Sequence, residues 1–271
     1  MNFLRKLRKL FLDLTPRYIG GPHDPRNDKI KNDGTPVGNL DLYAMTKIRE
    51  LIEKNFPGDS TIGEEDKKSA DPMRELLNDQ ANCQWTIDGL DGTGNRSMCT
   101  NSFGAMVSRR KGDKILFAAL YRPTDEILRG NGFFYAEYGQ GAWQWCGECK
   151  NYHKLRATKH DELERLTVML EGKATKLPYE PIITLCRQIT TRPSFSSCIA
   201  ATTVATGKAS ALVTVDHDPW DDWPASCLIK EVGGIVTDWQ GKPWTPSCRN
   251  MVAAANPEDH ATIVEILNRN N

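Results

Sequence analysis

The sequence has no excess of charge of either sign. Its 271 residues include 35 lysines and arginines against 35 aspartates and glutamates, so the formal net charge is zero. Proteins that bind nucleic-acid phosphates usually carry a basic excess, and proteins held on anionic membranes usually show a basic run or face. We therefore expect neither a nucleic acid nor a membrane as a partner.

Long apolar runs, repeats and low-complexity tracts are also missing. A transmembrane helix needs about 18 consecutive apolar residues, and a signal peptide needs an uninterrupted apolar stretch near its start. The composition, with 39% hydrophobic and 26% charged residues, is that of a globular protein. We predict a single domain over residues 1–271, with two lobes as the alternative, about 1–150 carrying the metal loops and about 151–271 on the substrate side.

Cysteines are few and scattered. Most of the eight lie in apolar stretches, so we interpret them as buried free thiols in a reducing compartment and expect a cytoplasmic location. Cys146 and Cys149 are spaced as in a thioredoxin redox motif, which requires a helix directly after the first cysteine. Residues 150–154 lack an apolar helical stripe, so a hairpin turn is favoured. A dithiol redox protein, or a metal clip with His153, stays open as the weaker alternative.

Helical spacing of apolar residues marks the N-terminus. Residues 3–14 place basic side chains between Leu7, Phe11 and their neighbours. We expect a surface helix docked on the core. The alternative is a basic amphipathic membrane or transit segment.

The rest of the chain mixes helical and strand patterns without strict alternation, which favours a layered α/β or α+β fold over a doubly wound one. Helices are predicted at 40–55, 181–188, 198–207, 223–232 and 257–267. Strands are predicted at 84–87, 103–109, 115–121, 132–138, 142–145, 166–170, 211–215, 235–238 and 251–254.

An acidic loop follows the apolar strand at Trp85–Ile87. Asp88 and Asp91 can converge there on one point, with the Leu90 carbonyl as a third oxygen, and Mg²⁺ prefers such oxygen ligands. The glycines let the backbone approach a ligand, and a helical turn starting at Thr93 would direct its free amides at the same point. Asp-Gly pairs are also ordinary turn chemistry, which is the competing interpretation.

Two further acidic segments flank this loop in sequence. Glu64, Glu65 and Asp66 follow Gly63, and alone they are typical of a solvated loop. The segment from Asp218 to Asp222 contains Pro219, which is typical of a helix cap with proline at the first helical position.

Together these segments resemble the inositol monophosphatase family of magnesium-dependent, lithium-sensitive phosphatases. The matching stretches, in the expected order from about residue 30 onward, are KNDGTPVGNLD at 31–41, GEE at 63–65, DGLDGTGN at 88–95, WD at 220–221 and EVGG at 231–234. The resemblance implies alternating layers of helices and sheets, α-β-α-β-α. It also implies hydrolysis of a small phosphomonoester, such as an inositol, sugar or histidinol phosphate, by a metal-activated water and without a covalent intermediate.

The resemblance also implies roles for individual residues. Two or three Mg²⁺ ions would be held: the first by Glu64, Asp88 and the Leu90 carbonyl, the second by Asp88, Asp91 and Asp221, and a looser third near Glu64. Glu64 and Thr93 would orient the attacking water, and Asp41 would be hydrogen-bonded to Thr93. The implied substrate contacts are Gly92, Thr93, Ser197 and Thr214. Members of the family often form dimers, so a homodimer is an expected state.

The sequence departs from the family pattern at several positions. Gly89 replaces a proline and is expected to loosen the loop, and Arg96 replaces an aromatic residue. Gly38 replaces a threonine. Thr214 stands where inositol-specific members have an acid that binds sugar hydroxyls, and Phe195 stands where they have a loop glycine. These two replacements weaken the case for inositol phosphate as the substrate.

Pro224 is the departure that bears on the metal site. It favours a helix that starts a turn after Asp218, which would move Asp221 and leave Asp222 as the substitute ligand. Adjacent helical residues point about 100° apart, so both are not expected on one ion. These departures motivate an alternative function, a catalytically impaired metal- or phosphate-binding pseudoenzyme of the same fold.

Overall fold

The computed structural model describes residues 2–20, 29–30, 36–37, 39–66, 77–78, 81–157, 166–172 and 179–269. Most of the segment 31–38, including Gly38, lies outside these ranges. The helices are α1 Asn2–Gly20, α2 Asn39–Asn55, α3 Thr93–Ser97, α4 Pro123–Arg129, α5 Tyr179–Gln188, α6 Ser197–Ala205, α7 Pro219–Glu231 and α8 Pro257–Asn268. A 3₁₀ turn, Glu64–Asp66, follows the third strand.

The strands form three sheets. They are β1 Lys29–Ile30, β2 Pro36–Val37, β3 Ser60–Gly63, β4 Gln84–Asp91, β5 Gly104–Lys111, β6 Lys114–Tyr121, β7 Phe133–Glu137, β8 Gly141–Cys146, β9 Asn151–Lys154, β10 Thr167–Gly172, β11 Thr190–Arg192, β12 Ala211–Val215, β13 Ile235–Thr237 and β14 Met251–Ala254. The large sheet has seven strands in the order β3 to β9, and the second has the order β11-β10-β12-β14-β13. β1 and β2 form a separate pair.

The helices and the two large sheets stack in five alternating layers, with helices on both faces of each sheet. One apolar core joins α1 and α2 to the large sheet. A second core joins the other face of that sheet to α6 and α7, which also pack on the second sheet. A third core places α5 and α8 on the far side of the second sheet. The predicted fold class, a layered α-β-α-β-α arrangement, is confirmed.

The N-terminal segment is a helix docked on the core, as expected. Leu7, Phe11, Leu14 and Tyr18 are buried on one face of α1, and the basic side chains lie outside it. The helix runs six residues further than the predicted residue 14. Among the described residues, no helix combines the length and the apolar character that crossing a membrane would require.

The prediction for the start of α7 was wrong. The helix begins at Pro219, with Asp218 at the N-cap, and continues through Pro224 rather than starting after it. A proline at the sixth helical position removes one backbone donor, whereas burial of Trp220 and Trp223 in the same helix removes two large apolar surfaces from water. Burial of the two indoles outweighs that single lost bond.

The burial predicted for the cysteines was also wrong. All eight are free thiols, but only Cys198 and Cys227 are buried. Cys146 ends β8, and Cys149 lies in the turn before β9, so the predicted hairpin is confirmed. Among the described residues, Cys146, Cys149 and His153 do not form a ligand cluster for a metal.

Candidate metal and phosphate site

Strand β4 brings two carboxylates to one place. It continues from Gln84 through Asp91 instead of ending at Ile87, and its pairing with β5 shifts register between Asp88 and Asp91. Residues three apart in a regular strand point to opposite faces, so this irregularity allows both carboxylates to face the same point. A bulged strand replaces the predicted turn.

Helix α7 supplies a third carboxylate to this point. Carboxylate oxygens of Asp88, Asp91 and Asp221 lie within 4.8 Å of one another. Asp222, one residue further along, instead contacts the His217 ring nitrogen at 3.1 Å and accepts from the Thr214 hydroxyl at 3.3 Å. The structure thus places Asp221, and not Asp222, beside the acids of β4.

A second group of acids lies next to the first. Carboxylate oxygens of Asp41, from the first turn of α2, and of Glu64 and Glu65, from the 3₁₀ turn after β3, lie within 4.8 Å of one another. The sequence reasoning did not assign Glu65 to the site, because two adjacent glutamates at the end of a strand are equally typical of a solvated loop. Asp66 points elsewhere and pairs with Arg49.

The two groups of carboxylates interact electrostatically. Burial is the main cause that raises the pKa of Asp88 well above its usual value, and the Glu64 carboxylate is the next. Burial likewise raises the pKa of Asp91 to about 6 and that of Asp221 well above its usual range. Buried carboxylates that repel one another in this way are stabilised by cations.

Helix α6 holds Asp91 from the other side. The Ser197 and Cys198 amides donate to the two oxygens of Asp91 at 3.1 and 2.8 Å, and the Ser196 hydroxyl donates to it as well. These bonds lower the pKa of Asp91 against the effect of burial. Ser197, predicted as a substrate contact, is placed beside this carboxylate through its backbone.

The loop before α6 is anchored by a buried acid that the sequence reasoning missed. Glu171, at the end of β10, accepts from the Ser194 amide at 2.7 Å and from the Ser194 hydroxyl at 2.6 Å. The Asn95 side chain donates to the carbonyls of Ser194 and Phe195 at 2.7 and 3.2 Å. Phe195 has an exposed ring and a positive φ of 54°. This backbone conformation favours glycine, the residue that the family pattern has here, but a bulky residue adopts it in this chain.

One predicted contact of Thr93, its hydrogen bond with Asp41, differs in the structure. The Thr93 hydroxyl donates to the Leu90 carbonyl at 2.7 Å, so its single proton is not directed at Asp41. The Leu90 amide donates to Asp88 Oδ1 at 2.9 Å. The Leu90 carbonyl, a predicted metal ligand, keeps a second lone pair for that role.

Gly89 and Arg96 are integrated into the packing, so the expected loosening of the loop was wrong. A side chain at Gly89 would meet backbone atoms of α2, and its carbonyl accepts from the Tyr18 hydroxyl at 2.7 Å. Arg96 donates to the Tyr18 carbonyl at 3.2 Å and so caps the C-terminal end of α1. Gly92 has a φ of 80° and precedes α3, which starts at Thr93 as expected.

Thr214 is hydrogen-bonded to other groups of the protein. It is fully buried, its hydroxyl donates to Asp222, and its carbonyl accepts from the Trp239 indole at 3.1 Å. Burial by itself lowers the pKa of His217, but the Asp222 carboxylate outweighs it and raises that pKa to about 9. The role of Thr214 as a substrate contact stays a prediction.

Comparison with known proteins agrees with the fold. The model of the inositol monophosphatase family matches residues 18–271. Inositol-1-monophosphatase of Bacillus subtilis (strain 168) is 26% identical over 239 residues, which are 86% of this chain and 84% of that protein. Nus factor SuhB of Escherichia coli (strain K12) is 28% identical over 214 residues, 76% of this chain and 72% of that protein.

A solved structure shows the same fold. The IMPase of Thermotoga maritima aligns with a TM-score of 0.79 at 23% sequence identity, covering 99% of this chain and 98% of that one. Since the family model matches nearly the whole chain, the resemblance seen in the sequence is confirmed. The chain belongs to the inositol monophosphatase family.

Proposed function

We propose that the protein is a metal-dependent phosphatase that hydrolyses a small phosphomonoester. The observation that carries this proposal is the convergence of Asp88, Asp91 and Asp221, whose carboxylate oxygens lie within 4.8 Å of one another, with the first two buried and Asp221 half-buried. Three adjacent carboxylates with raised pKa values, two of them buried and Asp221 half-buried, are costly unless cations accompany them. An all-oxygen set of this kind fits Mg²⁺.

The arrangement supports the assignment of residues to ions that the family pattern implies. Asp88, Asp91 and Asp221 would hold one Mg²⁺, and Glu64, Asp88 and the Leu90 carbonyl would hold another. Glu65 and Asp41, next to Glu64, add negative charge where a third, looser ion is expected. Bound Mg²⁺ would lower the pKa of coordinated water, neutralise phosphate oxygens and stabilise the leaving alkoxide.

The protein's own groups provide positioning. Because the Thr93 hydroxyl donates to the Leu90 carbonyl, its oxygen is left as an acceptor for a proton of the attacking water. Glu64 would accept the other proton. The amides of Gly92 and Thr93, at the start of α3, would hold the phosphate, and the α6 segment with Ser197 would border the leaving group.

The substrate class follows from what surrounds this point. The exposed Phe195 ring and the buried Thr214 stand where a glycine and an acid would favour inositol, so we propose a substrate other than inositol phosphate, with sugar and histidinol phosphates as candidates. A single domain over residues 1–271, a homodimer and a cytoplasmic location remain predictions.

A phosphate-release assay over inositol, histidinol, sugar and nucleotide phosphates tests the proposal. We expect turnover that requires Mg²⁺, is inhibited by Li⁺ and is abolished by Asp88→Asn. Asp113→Asn, which changes an exposed acid in the β5–β6 hairpin, is the matched control and should keep full activity. Full activity of Asp88→Asn would refute the site. An absence of turnover on every ester would favour the pseudoenzyme.

A further inference from the structure

Two features of the sequence have no part in the carboxylate site, namely the basic face of α1 and the turn that carries Cys146 and Cys149. In the structure they border the same cavity, of about 830 Å³, between α1 and strands β7, β8 and β9. Sites for small organic ligands usually measure about 300–1,000 Å³. A cavity of this size accommodates a ligand as large as a nucleotide.

The cavity is separate from the carboxylate site. Its strands lie at the far end of the large sheet, with β5, β6 and β7 between β4 and β8. Neighbouring strands are about 4.8 Å apart, so four steps place β8 about 19 Å from the acids of β4. None of the candidate metal ligands is among the described residues that line it.

Positive charge lines the cavity both from α1 and from the turn before β9. Four cations contribute, Arg5, Arg8, Lys9 and Lys150, and no acidic side chain lines it within the described part of the chain. Arg8 is paired with Glu126 at 3.1 Å, and Lys9 with Asp13 at 2.8 Å.

Two of these charges are left without a counter-ion. Arg5 and Lys150 are exposed and form no ion pair with any residue that the structure describes. Lys150 is held in the turn with a positive φ of 53°, a conformation uncommon for a residue with a side chain. Two unneutralised cations at one cavity match the charge of a phosphate monoester dianion.

Aromatic side chains of β7, β8 and β9 also line the cavity. Tyr135 and Trp143 have nearly parallel rings, 12° apart in plane, with centroids 6.5 Å apart. Trp145 packs edge-on against Tyr152, with ring centroids 5.1 Å apart. The Arg8 guanidinium lies 3.8 Å from the centroid of the Trp145 ring. Half-buried aromatic rings beside cations offer stacking surfaces to a flat ring that carries negative charge.

We propose that this cavity binds a nucleoside phosphate, with the phosphate on Arg5 and Lys150 and the base on the Trp143 side. The cations and the aromatic rings together indicate this ligand class. An anion without a ring would not contact the aromatic side chains, and an uncharged ring would not neutralise the two cations. The proposal is independent of the phosphatase activity.

Calorimetric titration with AMP in EDTA buffer tests it, because EDTA removes the divalent cations on which the proposed hydrolysis depends and leaves an acidic β4 site that repels phosphate. AMP should bind at least about tenfold more tightly than adenosine or inorganic phosphate, since a linked ligand gains from both halves. Lys150→Glu should weaken binding about tenfold and Trp143→Ala at least about fivefold. Lys208→Glu, an exposed lysine outside the cavity, should bind as the unaltered protein does, and so should Asp88→Asn.

Three results would overturn the proposal. The first is no heat of binding at about 1 mM AMP, a concentration at which a weak but specific site is still detected. The second is binding that Lys150→Glu and Trp143→Ala leave unchanged. The third is loss of binding in Asp88→Asn, which would place AMP in the carboxylate site. A folded Lys150→Glu variant, checked by its circular dichroism spectrum, makes the loss of binding attributable to charge.

Discussion

Gly89→Ala should destabilise the protein, because the new methyl has no room. It would lie 2.7 Å from the Asp41 carbonyl oxygen and 2.8 Å from the Met45 amide nitrogen, whereas ordinary contact starts near 3.4 Å. Both neighbours are backbone atoms of α2, so rotation of a side chain cannot relieve the overlap. Helix α2 would have to move by 3.4 − 2.7 = 0.7 Å from β4, and overpacking of this kind costs about 1–3 kcal/mol.

Urea and thermal unfolding in EDTA measure this effect without a contribution from bound metal. A loss of about 2 kcal/mol corresponds to a decrease of about 4–8 °C in Tm for a chain of this size. Gly94→Ala is the matched control, since no described atom lies within 4 Å of its added methyl, and alanine in a helix is favoured over glycine by up to about 1 kcal/mol. Equal stability of Gly89→Ala and the unaltered protein would show that α2 does not restrict this position.

Three further predictions concern the carboxylates. Asp221→Asn should lower Mg²⁺-dependent phosphate release at least about 100-fold, and Asp222→Asn should lower it less. Asp222→Asn should also decrease the pKa of His217 from about 9, which NMR titration measures. Burial raises the pKa of Asp91 from 3.8 to about 6, so the folded metal-free protein holds a proton that the unfolded chain releases. The stability of the metal-free protein should therefore fall by up to about 3 kcal/mol as pH rises from about 4 to 6, while its Mg²⁺ affinity rises over the same range. Unfolding at several pH values, with and without Mg²⁺, measures both effects. A stability that rises with pH in EDTA would contradict this. Ser196→Ala removes the cap of α6 and a donor to Asp91, so it should cost about 1–2 kcal/mol in urea unfolding and raise the pKa of Asp91 further.

Features that depend on neighbouring residues in the sequence could be predicted. The apolar strand before Asp88, the glycine before Thr93 and the apolar face of α1 are each contained in a short segment, so their patterns indicated strand, helix start and helix correctly. The family order of these segments then predicted the layered fold. Residues such as Glu64 and Asp221 could be named as partners of Asp88 only through that order.

Features that depend on distant contacts could not be predicted. Pro224 indicates a helix start when only its missing donor is considered, but the burial of Trp220 and Trp223 places the start at Pro219. The same holds for the backbone of α2 at Gly89, which turns an expected loose position into a close-packed one.

Helix α1 contacts both of the proposed sites. Its first turns border the cavity at Arg5, and Tyr18 in its last turn donates to the carbonyl of Gly89, directly after Asp88. Nineteen residues at about 1.5 Å each make a helix about 28 Å long that connects the two sites. Thermodynamic linkage then applies in both directions: any factor by which a ligand at one end changes Mg²⁺ affinity at the other is the factor by which Mg²⁺ changes the affinity for that ligand.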